Sequence, residues 1–296
     1  RALHRLGLAR DLPELQAHAE RLSEQFAGAP VDRFRALTFT ALKTAVPDPS
    51  TAHGHRLTEV GRRGKYLLLH TDATAAGPAG TGPVTFVVHL MQGGRLRPDE
   101  KQAAKPRGGI ARWTFADGRA LLLTEAGTEH KAGVWVVAGD LATQEPVGGL
   151  GPDADRLDPA ALTGILRSHP MRLHGFLRDQ HALAGVGRRL ANEICHRAGL
   201  SPFAGTAKLT DDQVGRLAAA MGAVIAESLV EERARTDLGP AKERTSAVHD
   251  RGGEPCPTCG DTVRTVAYRA YTVAYCPTCQ TGGKVLADNT TSKFLK

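Results

Sequence analysis

Apolar residues follow two different periods along this chain, and the change of period divides it. Leu15, Ala19, Leu22 and Phe26 recur three to four residues apart, the spacing that lines one side of a helix. Ahead of them, Asp11-Leu12-Pro13-Glu14 has the form of a capping box, with Asp11 as N-cap and Glu14 three residues on. Pro13 suits the first turn, where its missing N–H costs no helical bond. A helix is therefore predicted from about Leu12 to Phe26. Between Val31 and Asp140 the pattern turns to short β-rich runs: Tyr66–His70, Val84–Leu90, Ala111–Phe115 and Val134–Val137. Asp117-Gly118 supplies a hairpin turn, and the Gly- and Ala-rich stretch 72–82 a flexible loop. This half is expected to be a β-sandwich with the first helix packed against it.

After Gly149 the period becomes helical again. Asp158-Pro159 is an N-cap followed by Pro at the first helical position, leading into Leu162, Ile165 and Leu166. A second helix is predicted near 171–180 and a third, after the Gly185-Val186-Gly187 turn, near 188–198. Thr210-Asp211-Asp212-Gln213 is another capping box, opening a long helix that turns Val214, Leu217, Met221, Val224, Ile225 and Leu229 inward. Polar residues from Glu231 to Arg251 form a link to a cysteine-rich tail. The expected division is an N-terminal extension at 1–10, a sandwich at 11–148, a helical domain at 149–250 and a finger at 251–296.

At 41% hydrophobic and 23% charged residues, the chain of 296 residues has ordinary globular composition, which excludes a disordered polymer. No apolar run approaches the ~18 residues of a membrane span, and residues 1–10 do not have the form of a secretory signal. A formal charge of +7 and a pI near 9.3 favour a polyanionic partner, though only weakly. The expected setting is the cytoplasm, as a monomer without a membrane partner.

Four of the five cysteines form Cys256-Pro257-Thr258-Cys259 and Cys276-Pro277-Thr278-Cys279, with sixteen residues between the two knuckles. Two Cys-x-x-Cys pairs at this separation can surround one tetrahedral zinc, with a β-hairpin between them; the alternative is a pair of redox dithiols. Four sulfur ligands leave no open position, so one structural Zn2+ is expected, and the metal supplies much of the folding free energy of so small a finger. Cys195 reads as a core thiol. The region 251–296 carries Arg251, Arg264, Arg269, Lys284, Lys293 and Lys296 against Glu254, Asp261 and Asp288, a balance that suits phosphate contact. The Gly185-Val186-Gly187 turn lets backbone N–H groups approach an anion at the start of the following helix, although a lone Gly-x-Gly is usually only a tight turn.

Taken in order, these segments resemble the formamidopyrimidine-DNA glycosylase and endonuclease VIII family of base-excision repair, over almost the whole chain from Asp11. The stretch 61–69, Gly-Arg-Arg-Gly-Lys-Tyr-Leu-Leu-Leu, resembles the family's lysine-bearing hairpin, and 89–97, His-Leu-Met-Gln-Gly-Gly-Arg-Leu-Arg, its His-Leu-x-x-x-Gly-x-Leu-Arg segment. Leu177-Arg178-Asp179-Gln180 through Gly187 to Pro202 resembles its helix-two-turns-helix, and the cysteine tail its zinc finger. Leu123–Thr128 and Thr281–Lys284 are similar to an actinobacterial-type branch, a bacterial and nucleoid setting. The resemblance implies an α+β chain made of a sandwich, a helix-two-turns-helix domain and a zinc-ribbon finger. It further implies a zinc-bearing DNA-repair glycosylase acting on damaged double-stranded DNA, with a nucleotide flipped out of the stack.

In the family the nucleophile is a free N-terminal proline, whose amine expels the base and forms a Schiff base that drives strand cleavage. This chain departs from that pattern. Twelve residues precede Pro13, so its nitrogen is an amide, which is not nucleophilic. In one register Pro13 and Glu14 stand for the family's first Pro and Glu. In the other, which needs no gap down to Lys65, Arg10 and Asp11 stand there. Glu14 falls on a family active-site glutamate in both, Asp11 can replace the other acid, and Lys65 assists at phosphate and sugar; both acids are equally explained by the capping box. His89, Arg188 and Arg269 are the implied DNA contacts. Arg188 stands for the family's usual Asn, the segment after Thr128 lacks the Arg-Phe wedge, Gln92 lies near a usual wedge Met, and Tyr271 takes the position of the finger's arginine, two residues after Arg269. The chemistry implied is a glycosylase without the proline amine, in which Glu14 or Asp11 activates water; a catalytically silent lesion-binding relative is the alternative.

Overall fold

The computed structural model describes residues 10–72, 82–126, 131–238, 244–268 and 271–286. They form two compact units, each with its own core. One runs to Gly149 and takes in Thr236–Leu238; the other holds the helices from Leu150 to Arg235 together with the cysteine-rich tail.

In the first unit, helix α1 (Leu12–Phe26) lies against two four-stranded antiparallel sheets. The strands are β1 (Val31–Ala36), β2 (Leu57–Arg63), β3 (Tyr66–Thr71), β4 (Val84–His89), β5 (Gly94–Pro98), β6 (Gly109–Phe115), β7 (Ala120–Glu125) and β8 (Gly133–Ala138). One sheet has the order β1-β6-β7-β5 and the other β2-β3-β4-β8. Their inner faces and α1 bury one continuous core, in which Leu22 and Phe26 meet Leu67, Phe86, Trp113, Phe115 and Val134. Phe34, Phe86 and Trp113 pack as an aromatic cluster with ring centroids 5.1–5.8 Å apart. The sandwich and its packed helix are as expected from the period change. The Asp117-Gly118 turn joins β6 to β7, with Gly118 at φ +86°, a value open to glycine at no steric cost.

Two expectations need correction here. Asp11 is the N-cap of α1 by backbone position, but its side chain makes no capping bond, because its carboxylate is turned to Lys65 instead. The polar link after Glu231 is not a simple tether: Leu238 is 1% exposed within the sandwich core and Asp237 pairs with Arg97. The expected loop at 72–82 and the segment 127–130 lie almost wholly outside the described residues, as do residues 1–9.

The second unit contains α2 (Pro159–Ser168), α3 (Leu173–Arg178), α4 (Arg188–Arg197), α5 (Asp211–Arg233), the hairpin β9 (Arg264–Ala267) and β10 (Thr272–Tyr275), and the short α6 (Pro277–Thr281). Helix α5 begins with the capping box read from the sequence: Thr210 Oγ1 accepts from Gln213 N–H, and Gln213 Oε1 accepts from Thr210 N–H. By length and composition α5 could cross a membrane, the one such helix among the described residues. Here Val214, Leu217, Met221, Val224 and Ile225 are buried as it packs with α2 and α4.

Candidate functional site

Strand register assembles the polar cluster of the first unit. Arg63 pairs with Tyr66 across β2 and β3, leaving Gly64-Lys65 as a two-residue turn with Gly64 at φ +55°. Tyr66 in turn pairs with His89 at the end of β4, so the register brings Lys65 beside His89. The start of α1 adds Arg10, Asp11 and Glu14. All five charged or titratable groups are buried: Arg10, Asp11, Glu14, Lys65 and His89 are each no more than 6% exposed.

Lys65 Nζ lies 3.4 Å from Asp11 Oδ1, and Arg10 Nη1 lies 3.4 Å from Glu14 Oε2. Each acid expected from the sequence is thus matched to a cation, one from a hairpin turn and one four residues earlier, just ahead of the helix N-cap. The pairing of Arg10 with Glu14 was not foreseen, although their spacing of four residues is a readable signal. Pro13 is buried in the first turn of α1.

His89 Nδ1 accepts a hydrogen bond from Met91 N–H at 3.1 Å, so the neutral ring carries its proton on Nε2. Burial, and then the neighbouring Lys65 charge, push its pKa down to about 3. Expected as a DNA contact, His89 is 1% exposed and packs edge-on against Tyr66 at 4.8 Å. Burial pushes the Tyr66 phenol up to about 12, with Glu145 adding to the effect. The loop after His89 is tight. Met91 takes φ +53°, and a Cβ on Gly94 would lie 2.1 Å from Leu90 O, so this glycine is obligatory.

In the second unit the Gly185–Gly187 turn is fixed by Gln180, whose Oε1 accepts from Gly185 N–H at 2.9 Å and whose Nε2 donates to Val186 O at 2.8 Å. Gly185 sits at φ +98°. Arg188 is the first residue of α4 and is half-exposed. Arg269 lies outside the described residues, while Tyr271 is stacked on Tyr268 with the Arg178 guanidinium over its ring.

The sulfur atoms of Cys256, Cys259, Cys276 and Cys279 all lie within 4.8 Å of one another. A tetrahedral zinc with ~2.3 Å bonds sets its sulfurs ~3.8 Å apart; Cys256 and Cys279 are separated by 3.9 Å, and Cys259 and Cys276 by 3.4 Å. The donor set and its spacing fit one structural zinc. His196 Nε2 lies 3.3 Å from Cys256 Sγ, a contact that would orient this sulfur toward a bound zinc and that spacing along the chain does not announce. Burial holds the fifth thiol, Cys195, far above its usual pKa, in keeping with a core residue.

Residues 10–127 match the formamidopyrimidine-DNA glycosylase N-terminal domain, and residues 253–282 match the zinc finger found in FPG and IleRS. Over 279 residues, 91% of this chain and 97% of the other, the sequence is 30% identical to the formamidopyrimidine-DNA glycosylase of Chloroflexus aurantiacus. The chain belongs to the formamidopyrimidine-DNA glycosylase family. An uncharacterized formamidopyrimidine-DNA glycosylase-like protein of Mycobacterium tuberculosis is 41% identical over 152 residues, covering 50% of this chain and 94% of its own length. Among solved structures, the MutM (Fpg) protein of Thermus thermophilus superposes with a TM-score of 0.76 at 26% identity, covering 93% of this chain and 100% of that one. The Lactococcus lactis formamidopyrimidine-DNA glycosylase, solved bound to DNA with an abasic site, superposes at 0.77 over 92% of this chain and 99% of its own; at 18% identity it attests the fold alone. Sandwich, helical region and zinc finger are thus the architecture of this glycosylase family.

Proposed function

We propose that this protein is a DNA-repair glycosylase that engages damaged duplex DNA as a monomer in the bacterial cytoplasm and releases a base by hydrolysis, without the Schiff-base step. The observation that carries the reading is the buried Asp11–Lys65 pair beside the second pair Arg10–Glu14. A carboxylate of this kind can take a proton from attacking water and, as the carboxylic acid so formed, pass it to the leaving base, while an ammonium group can hold a phosphate or sugar oxygen. The nitrogen of Pro13 is acylated by Leu12 and offers no lone pair for attack. Asp11 and Glu14 are the proposed acid–base groups, and Lys65 the electrostatic one. The family match beginning at residue 10 supports the register in which Arg10 and Asp11 occupy the first two family positions.

Arg188 and Arg269 are the proposed phosphate contacts. His89 is 1% exposed and close enough to Lys65 to feel its charge, and its proposed role is to line the site beside Lys65 rather than to contact DNA directly. The domain division at 11–148, 149–250 and 251–296 belongs to the same proposal, with zinc holding the finger.

The test is borohydride treatment on abasic-site duplex together with base release from a panel of oxidised, alkylated and bulky lesions. Base release without a borohydride-stable adduct is the expected result, lost in Asp11→Asn. A covalent adduct would overturn the hydrolytic mechanism. Tight lesion binding with no base release from the panel would favour a silent lesion-binding protein, a reading to which the mutual pairing of both acids with cations also lends itself.

A further inference from the structure

The second unit holds an aromatic column that the chemistry above leaves unused. The Tyr268 and Tyr271 rings stack with centroids 4.8 Å apart and planes at 14°. The Arg178 guanidinium carbon lies 4.1 Å from the centroid of Tyr271. His174, buried one turn earlier on α3, lies nearly parallel to the same ring at 6.1 Å. Two tyrosines, one just after β9 and one just before β10, thus provide the seat for a cation carried by the last residue of α3.

The backbone around that cation is fixed. Gln180 Nε2 donates to the carbonyls of both Arg178 and Val186, tying the end of α3 to the Gly185–Gly187 turn. Arg178 and Arg188 both lie close enough to His174 for their charges to depress its pKa, and with burial as the largest cause it falls to about 3. The His174 imidazole is therefore neutral at physiological pH, and the local charge is that of the guanidinium groups.

We propose that Arg178, laid flat on Tyr271, binds a backbone phosphate of the DNA, so that α3 carries a cation where the finger hairpin carries a tyrosine. Stacking engages the face of a guanidinium and leaves the in-plane geometry of its N–H fork, the edge that matches a phosphate. A cation held against an aromatic ring is pre-positioned and loses less side-chain freedom on binding than a solvated one. Tyr271 is a positioning residue here, acting through Arg178. The inference rests on the DNA-binding reading above, and names a contact within it.

The experiment measures binding of the full zinc-loaded chain to a duplex with a tetrahydrofuran abasic analogue, by fluorescence anisotropy across a salt series. Each phosphate contact contributes about 0.9 to the slope of log K against log salt. Arg178→Met is expected to weaken binding several-fold at low salt and to flatten the slope by about 1. Tyr271→Phe keeps the ring face and is expected to match wild type, whereas Tyr271→Ala shifts binding in the direction of Arg178→Met. Zinc content and thermal midpoint verify that each variant is folded, and Arg178→Gln repeats the measurement should Arg178→Met lose its zinc. Wild-type slope in a folded Arg178 variant that still binds DNA overturns this inference alone. Failure of the wild-type chain to bind duplex overturns the DNA-binding reading with it.

Discussion

The Asp11 carboxylate lies 3.4 Å from the Lys65 ammonium, joining the first turn of a helix to the tip of a hairpin 54 residues later. Both side chains are buried, at 6% and 1% exposure, so neither charge can rely on bulk water. Removing one partner of a buried pair typically costs about 3 kcal/mol or more, while removing both costs far less than the sum. Asp11→Asn and Lys65→Met are each expected to lower stability by about 2–3 kcal/mol, with a coupling of at least ~1 kcal/mol in the double variant. Urea denaturation of the four proteins gives the cycle; strictly additive losses would show that the two groups do not act as a pair.

A further buried pair, in the helical unit, makes a comparable prediction without touching the proposed chemistry. Glu232 at the end of α5 meets Arg244 Nε at 2.6 Å, with both side chains 1% exposed. Arg244→Met is expected to destabilise the helical unit by about 3 kcal/mol. The loss should appear in the guanidinium midpoint, with the Asp11–Lys65 coupling unchanged.

Acid sensitivity follows from the buried histidines. His18 is 4% exposed and its Nε2 lies 2.8 Å from Leu96 O; burial lowers its pKa from 6.5 to about 4. The folded chain therefore binds fewer protons than the unfolded chain between those values. Its stabilising contribution is complete above pH 6.5, falls as the pH drops through that window, and is gone below 4. The slope within it is at most about 1.4 kcal/mol per pH unit for this one group. His18→Gln keeps a donor for Leu96 and does not titrate, so stability between pH 6 and pH 4 should fall less steeply by about one proton. An unchanged slope would place the acid-sensitive group elsewhere.

The finger core consists of Val248, Cys256, Val263, Ala274 and Cys276, too small a set to hold a fold by burial alone. One zinc per chain is expected by elemental analysis. Chelation or Cys259→Ser should abolish ordered amide signals across 253–282 and weaken duplex binding at least tenfold. Retention of both after zinc loss would show that the metal does not organise this region.

Much of this was legible in the sequence where one physical signal dominates. Period alone locates α1, the capping box locates the start of α5, and cysteine spacing locates the zinc site. Among the strands of the sandwich that pattern reading did not delimit are β1, β2 and β5, and each of these lies at the edge of its sheet. Edge strands face solvent along one side and carry charge there: Val-Asp-Arg-Phe-Arg-Ala in β1 and Gly-Arg-Leu-Arg-Pro in β5. Such sequences look like loops until the sheet supplies their pairing.

At the site, the residues were readable but their partners were not. Asp11 and Glu14 satisfy a capping box on paper; tertiary register decides that Asp11 meets Lys65. His89 was implied as a DNA contact by the family resemblance of segment 89–97, yet its ring is buried and packed against Tyr66. Arg178 and Tyr271 are 93 residues apart, and no local pattern couples a helix end to a hairpin tip.

Two adjacent residues of α4, Asn192 and Glu193, carry a further consequence. Both oxygens of Glu193 accept backbone N–H groups, from Ala247, Val248 and His249, at 2.7–3.1 Å. Asn192 bonds His249 Nδ1 and the N–H of Ala274 in β10. The approach to the first knuckle and the hairpin beyond it are thereby welded to one helical turn. The amides of 247–249 should exchange with solvent only when α4 itself opens, at a common rate. Finger and helix would then move against DNA as a single jaw, with no joint between them.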